Sequence, residues 1–93
     1  MTLINNDDIK KNLSLLSGWM QEGNQIAKQF QFKDFAEALS FVNKVGAESE
    51  KMNHHPDIFI HSWNKVKIII STHSEGGITK KDFQLAEKIE GLK

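Results

Sequence analysis

Ninety-three residues carry twelve Lys and Arg against twelve Asp and Glu, 39% hydrophobic side chains, four histidines and no cysteine. That length suits one domain, residues 1–93, with a modest core and no room for a second. Balanced charge offers no field to draw in nucleic acid or an anionic membrane, and a chain without cysteine has neither disulfides, thiolate chemistry nor cysteine-built zinc sites.

The start, Met1 to Asp8, is polar and acidic where a secretory signal is basic and then apolar, and no apolar run approaches the ~20 residues of a membrane span. A soluble, cytoplasmic protein is expected. Ile9, Leu13 and Leu16 recur at helical spacing, and Ser17-Gly18 suits a left-handed helix end, so the pattern predicts a short first helix. Trp19 to Glu22 then leads through Gly23-Asn24 into Gln25 to Phe32, where Ile26, Phe30 and Phe32 alternate as in a hairpin strand. Asp34, with Glu37 three residues on, predicts the cap of a second helix, its buried stripe formed by Phe35, Ala38, Leu39, Val42 and Val45. This helix should run to about Asn53, because the residue before Pro56 is pushed out of the helical region.

Asp57 to Trp63 and Val66 to His73 read as two more strands, antiparallel around Asn64-Lys65. After Gly76-Gly77, Thr79 can cap a last helix with Asp82, while Ile78 and Phe83 sit where a hydrophobic staple needs them; Phe83, Ala86 and Ile89 form its apolar face. Helix, two strands, helix, two strands, helix with short connections predicts an α+β fold: a four-stranded antiparallel sheet with three helices packed on one face.

Chemistry concentrates late in the chain. Glu50 precedes His54-His55-Pro56, and His73 follows the apolar run Val66 to Ile70. Imidazoles titrate near pH 6.5, so such a group can both give and take protons in neutral water. If the second helix reached His54, Glu50 would lie one turn before it on the same face and could fix its tautomer. The plainer alternative is that His54 and His55 merely finish a helix, where cations favour the dipole. Glu50, His54 and His73 also offer two nitrogens and an oxygen to zinc, but adjacent histidines rarely share one ion and no His-Glu-x-x-His pair is present, so no metal is expected. His61 reads as a surface or pocket-rim residue, and Trp63 as a cover for a flat ligand or a core residue.

Taken together, Glu50, His54-His55-Pro56, Trp63, His73 and Asp82 resemble the pattern of the pterin-4a-carbinolamine dehydratases. The flanking stretches agree over nearly the whole chain: Gly18-Trp19, the aromatic residues from Phe30 to Phe35, Asn64-Lys65-Val66, Thr72-His73 and Gly76-Gly77-Ile78-Thr79. One departure is that six residues separate Pro56 from Trp63 where some relatives have five, which is expected to lengthen or bulge the start of the third strand.

The resemblance implies the same fold and a hydro-lyase reaction: 4a-hydroxytetrahydropterin loses water to give quinonoid dihydropterin, in tetrahydrobiopterin-type cofactor recycling. It implies His54 and His73 as acid and base, and His55 as a residue that binds or orients the pterin. Glu50 would orient one of the paired histidines, most simply His54, Asp82 would steady the His73 side, and Trp63 would contact substrate. No cofactor and no metal is implied. The implied partners are the pterin itself and further copies of the chain, as a homodimer or homotetramer, with no direct nucleic-acid or membrane contact. The alternative is a protein-interaction module, since vertebrate members of the family also serve as a dimerisation cofactor for a transcription regulator; an intact histidine set favours the enzyme.

Overall fold

The computed structural model describes residues 2–93. Its elements run α1 (Asn6–Leu13), β1 (Met20–Glu22), β2 (Gln25–Gln31), α2 (Phe35–Met52), β3 (Asp57–His61), β4 (Lys65–Ile70) and α3 (Lys80–Glu90), with one turn of 3₁₀ helix at His73–Glu75. The strands form a single antiparallel sheet in the order β1-β2-β4-β3. This is the expected α+β architecture. No helix among the described residues is long and apolar enough to cross a membrane.

Alternation along the strands decides which face is buried. Val66, Ile68 and Ile70 of β4 are inaccessible, and the register sets Phe30 and Ile60 beside Val66, Ile58 beside Ile68 and Ile26 beside Ile70. That face joins Ile9 of α1, Ala38, Phe41 and Val45 of α2, and Phe83, Leu85, Ala86 and Ile89 of α3 in one cluster. Cutting a residue such as Ile68 back to alanine in this setting costs about 2–5 kcal/mol. The opposite face carries Met20, Phe59 and Ile69, and among the described residues the three helices contribute to the other face instead.

The second helix is turned differently from the expected stripe. Its buried line is Ala38, Phe41, Val45 and Ser49, whereas Phe35 and Leu39 are 49% and 42% exposed. Two apolar stripes overlap on this helix, and the one containing Phe41 wins. Its ring packs 4.8 Å from that of Phe30 and 4.9 Å from that of Phe32, and aromatic pairs of this kind stabilise beyond their buried area.

On the core face, Lys28 keeps its stem inside and carries its ammonium to the rim. There its Nζ donates to the Ser17 carbonyl and the Glu90 carboxylate, each at 2.8 Å, and Trp19 Nε1 donates to the same carboxylate at 3.1 Å. The C-terminal end of α3 is thereby tied to the first hairpin. Gly18, at φ +86°, lets the lysine pass, because a Cβ there would meet Lys28 Cε at 2.9 Å.

The extra residue before Trp63 leaves the start of β3 undisturbed: the ladder runs without a bulge from Asp57 to His61. The departure falls in the following turn, where Ser62 and Trp63 both take left-handed backbone angles, φ 50° and 55°. The two strands are also shorter than expected. The turn spans Ser62 to Asn64, and His73 lies beyond β4 in the 3₁₀ turn.

Candidate active site

The site begins where α2 stops. Asn53 adopts the left-handed conformation, φ 50° and ψ 44°, its N–H reaching the Glu50 carbonyl at 3.2 Å and the His54 N–H that of Ser49 at 3.0 Å. This is a Schellman-type end, with Asn rather than Gly in the left-handed position and Pro56 soon after it. The reversal separates two neighbouring imidazoles. His54 turns inward and is 9% exposed, while His55 stays in solvent.

Inside, His54 Nε2 lies 2.6 Å from Oδ1 of Asp82. Asp82 is wholly buried in the first turn of α3, and its Oδ2 accepts the Thr79 N–H at 2.8 Å and the Thr72 hydroxyl at 3.0 Å. Because Thr72 gives its proton to Asp82, the 2.7 Å contact between the two threonine hydroxyls is donated by Thr79. An acceptor-only carboxylate so placed takes the Nε2 proton of His54 as its third donor. His54 Nδ1 makes no hydrogen bond, and no buried side-chain nitrogen or oxygen among the described residues lacks a partner. That nitrogen therefore reaches solvent, through the hollow that His54 lines.

The hollow measures about 400 Å³, within the usual range for small-molecule sites, and its wall brings together His54, His55, Pro56, Thr72 and His73. The His73 imidazole has no hydrogen-bond partner among the described residues. A second hollow of about 290 Å³ adjoins it, sharing Asp57, Ser71 and His73 and adding Asn24 and the Gly76-Gly77 backbone. Asn24 Nδ2 donates to the Gly76 carbonyl at 3.2 Å, pinning the loop that carries His73 to the first hairpin. A separate hollow of about 330 Å³, between Phe32, Phe41, Lys44 and Lys93, contains no histidine.

His54, His55 and His73 thus meet at one hollow, but the carboxylates are distributed differently from the expectation. Glu50 is hydrogen-bonded to His55, not His54, because the left-handed residue carries His54 off the helix face. Asp82 holds His54 directly, and it reaches the His73 side only through the hydroxyl of the neighbouring Thr72. The Glu50–His55 pair is mostly in solvent, at 77% and 57% side-chain exposure, where such a contact is worth about 0–1 kcal/mol. Glu50, His54 and His73, the trio weighed as zinc ligands, are split because Glu50 bonds His55 and His54 bonds Asp82, and no cluster of three or more candidate ligands occurs among the described residues.

Trp63 is not at the hollow. It sits in the β3–β4 turn, 59% exposed, and is separated from His73 by the whole of β4, about 20 Å at ~3.3 Å per residue. His61 is on the open sheet face, bonded through Nε2 to Gln29 Oε1 at 2.8 Å. The sequence reading missed Thr72 and Thr79 as supports of Asp82, and Asp57 and Ser71 as wall residues. Thr79 was marked by a capping pattern and Thr72 only by its place in the Thr72-His73 stretch, while the wall residues were marked by strand parity alone.

Residues 2–92 match the family model for pterin 4 alpha carbinolamine dehydratase. A relative from Trichormus variabilis, provisionally named pterin-4-alpha-carbinolamine dehydratase, is 47% identical over 90 residues, covering 97% of this chain and 96% of that protein. Another of the same provisional name, from Sulfolobus acidocaldarius, is 43% identical over 89 residues, covering 96% and 97%. The crystal structure of a Brucella melitensis protein described as a transcriptional coactivator/pterin dehydratase superposes with a TM-score of 0.93 at 31% identity over 98% of both chains. A pterin dehydratase-like protein identified as a RuBisCO assembly factor in the alpha-carboxysome shares the fold, with a TM-score of 0.69 at 22% identity over 81% of this chain and 88% of that one. With residues 2–92 matched and three of its four histidines gathered at one hollow, this chain belongs to the pterin 4 alpha carbinolamine dehydratase family.

Proposed function

We propose that the protein dehydrates 4a-hydroxytetrahydropterin to quinonoid dihydropterin by histidine acid-base catalysis, a hydro-lyase step in recycling a tetrahydropterin cofactor. The observation that carries this reading is the buried His54–Asp82 pair whose free nitrogen opens to the hollow shared with His73. The reaction breaks the bond between C4a and its hydroxyl oxygen, which leaves as water after taking one proton. A double bond forms between C4a and the neighbouring ring nitrogen, which gives up its proton. One group must therefore donate and another accept. His54 suits the acceptor: Asp82 holds the proton on Nε2, leaves the Nδ1 lone pair facing the hollow and stabilises the imidazolium formed. His73, unattached to any side chain among the described residues, suits the donor. His55, steadied by Glu50, would bind the pterin. Dehydration of the carbinolamine by the purified protein tests the reading; no acceleration over the spontaneous reaction refutes it.

A homodimer or homotetramer is proposed alongside. Met20, Phe59 and Ile69 on the open sheet face, with Phe35 and Leu39 on α2, leave apolar surface that further copies would cover. Light scattering that shows only a 10.6 kDa species at micromolar concentration would refute this. The alternative role, as a dimerisation cofactor for a transcription regulator, draws on the Brucella protein's description as a coactivator. A cellular role surviving loss of all three hollow histidines would favour it.

A further inference from the structure

Asp57 opens β3, and its pairing with Ile69 sets its side chain on the sheet face turned away from the helices. Ser71, two residues beyond Ile69, faces the same way by alternation. The two hollows meet at Asp57, Ser71 and His73. The Asp57 carboxylate makes no hydrogen bond or ion pair among the described residues, in contrast with Asp82, whose oxygens are filled from within the fold. Of the amides beside it, Asn24 has already committed its Nδ2 to the Gly76 carbonyl. What remains at the seam is an acceptor with no donor assigned to it.

A pterin supplies a matching pair. Its pyrimidinone half presents a ring N3–H next to a 2-amino group, two parallel donors on one edge, which a carboxylate receives in the fork geometry that also pairs it with guanidinium. With that edge on Asp57, C4a lies within one ring's width, toward the hollow where His54 and His73 meet. We propose that Asp57 determines specificity for a 2-amino-4-oxopteridine by accepting both donors on its carboxylate. This rests on the function proposed above but concerns recognition, not proton transfer. A 2-oxo pteridine would turn a carbonyl toward the same carboxylate and be repelled.

The test is equilibrium binding of 7,8-dihydropterin and of its 2-oxo counterpart, 7,8-dihydrolumazine, to the full chain. The wild-type protein is expected to prefer the 2-amino ligand by about tenfold or more, the scale of a charged hydrogen bond. In Asp57→Asn the amide can donate to the 2-oxo group, so the preference falls to near one. Asp57→Ser, a small polar change at an exposed position, loses it in the same way. If both ligands bind and the substitutions leave the wild-type preference unchanged, the role of Asp57 is overturned while the proposed function stands. If the wild-type protein binds neither pteridine, the proposed function fails and this inference with it.

Discussion

Replacing Asp82 by asparagine exchanges one oxygen for an amino group and removes a charge from a wholly buried position. The Thr79 backbone N–H, 2.8 Å from Oδ2, can only donate, so the new amide must keep its oxygen there and turn its NH₂ toward His54. His54 Nε2 then has to accept, and the ring proton moves to Nδ1, the nitrogen open to the hollow. A base has become a donor. The lost charge-assisted hydrogen bond predicts a stability decrease of about 1.5–3 kcal/mol. The lost base predicts a fall in dehydration rate of about 10²–10⁴-fold, or ~2.7–5.4 kcal/mol of barrier at 1.36 kcal/mol per tenfold. Rates on purified Asp82→Asn should be read beside nitrogen NMR of its labelled histidines, which reports the tautomer whether or not the substrate has been identified correctly. A folded variant that keeps both the wild-type rate and an Nε2–H tautomer at His54 would refute the argument.

His54→Ala and His73→Ala are each predicted to slow dehydration by ~10²-fold or more, the scale of a positioned acid or base, whereas His55→Ala should mainly raise KM; wild-type turnover in folded His54 and His73 variants would remove both from the chemistry. Exhaustive chelation should leave full activity, with no stoichiometric metal in the purified protein; activity lost to a chelator and restored by zinc would reverse that expectation. The pH dependence of stability turns on Glu90. Burial raises its carboxyl, but hydrogen bonds from Lys28, Lys93 and Trp19, with the charge of Lys28, outweigh this and hold the pKa below its ordinary 4.5. A depressed carboxyl contributes stability that is complete above the ordinary value and lost as pH falls through the folded one. Glu90→Gln should therefore lower the urea midpoint near neutral pH, and the gap from wild type should close as pH falls below about 4.5; a gap independent of pH would show that the ion cluster contributes nothing.

Much of this molecule was legible as a string because its strongest signals are local. Alternation in Val66 to Ile70 marks a half-buried strand whatever it pairs with. Thr79 and Asp82 lie three apart at the start of a helix, and the Asp82 carboxylate does receive the Thr79 N–H. Asp34 caps α2 as its spacing indicated, accepting the Glu37 N–H at 2.8 Å. Where two local patterns competed, as on α2, the choice fell to Phe41 packing against Phe30 and Phe32, rings separated from it in the chain by a turn and a helix start. That competition could not be resolved within the helix.

The site divides in the same way. Composition and spacing determined that imidazoles and carboxylates would gather, since Glu50, His54, His55 and His73 stand close in the chain with only two short strands between them. Which carboxylate serves which ring was decided by one left-handed residue, Asn53, and by the sheet order that brings the start of α3 under His54. Periodicity tells a residue which way to face relative to its neighbours, but a partner 28 positions away depends on how separate elements pack. For the same reason Asp57 passed as an ordinary strand residue and Trp63 as a neighbour of the pocket. Only the tertiary structure set the first at the seam between two hollows and the second at the far end of β4.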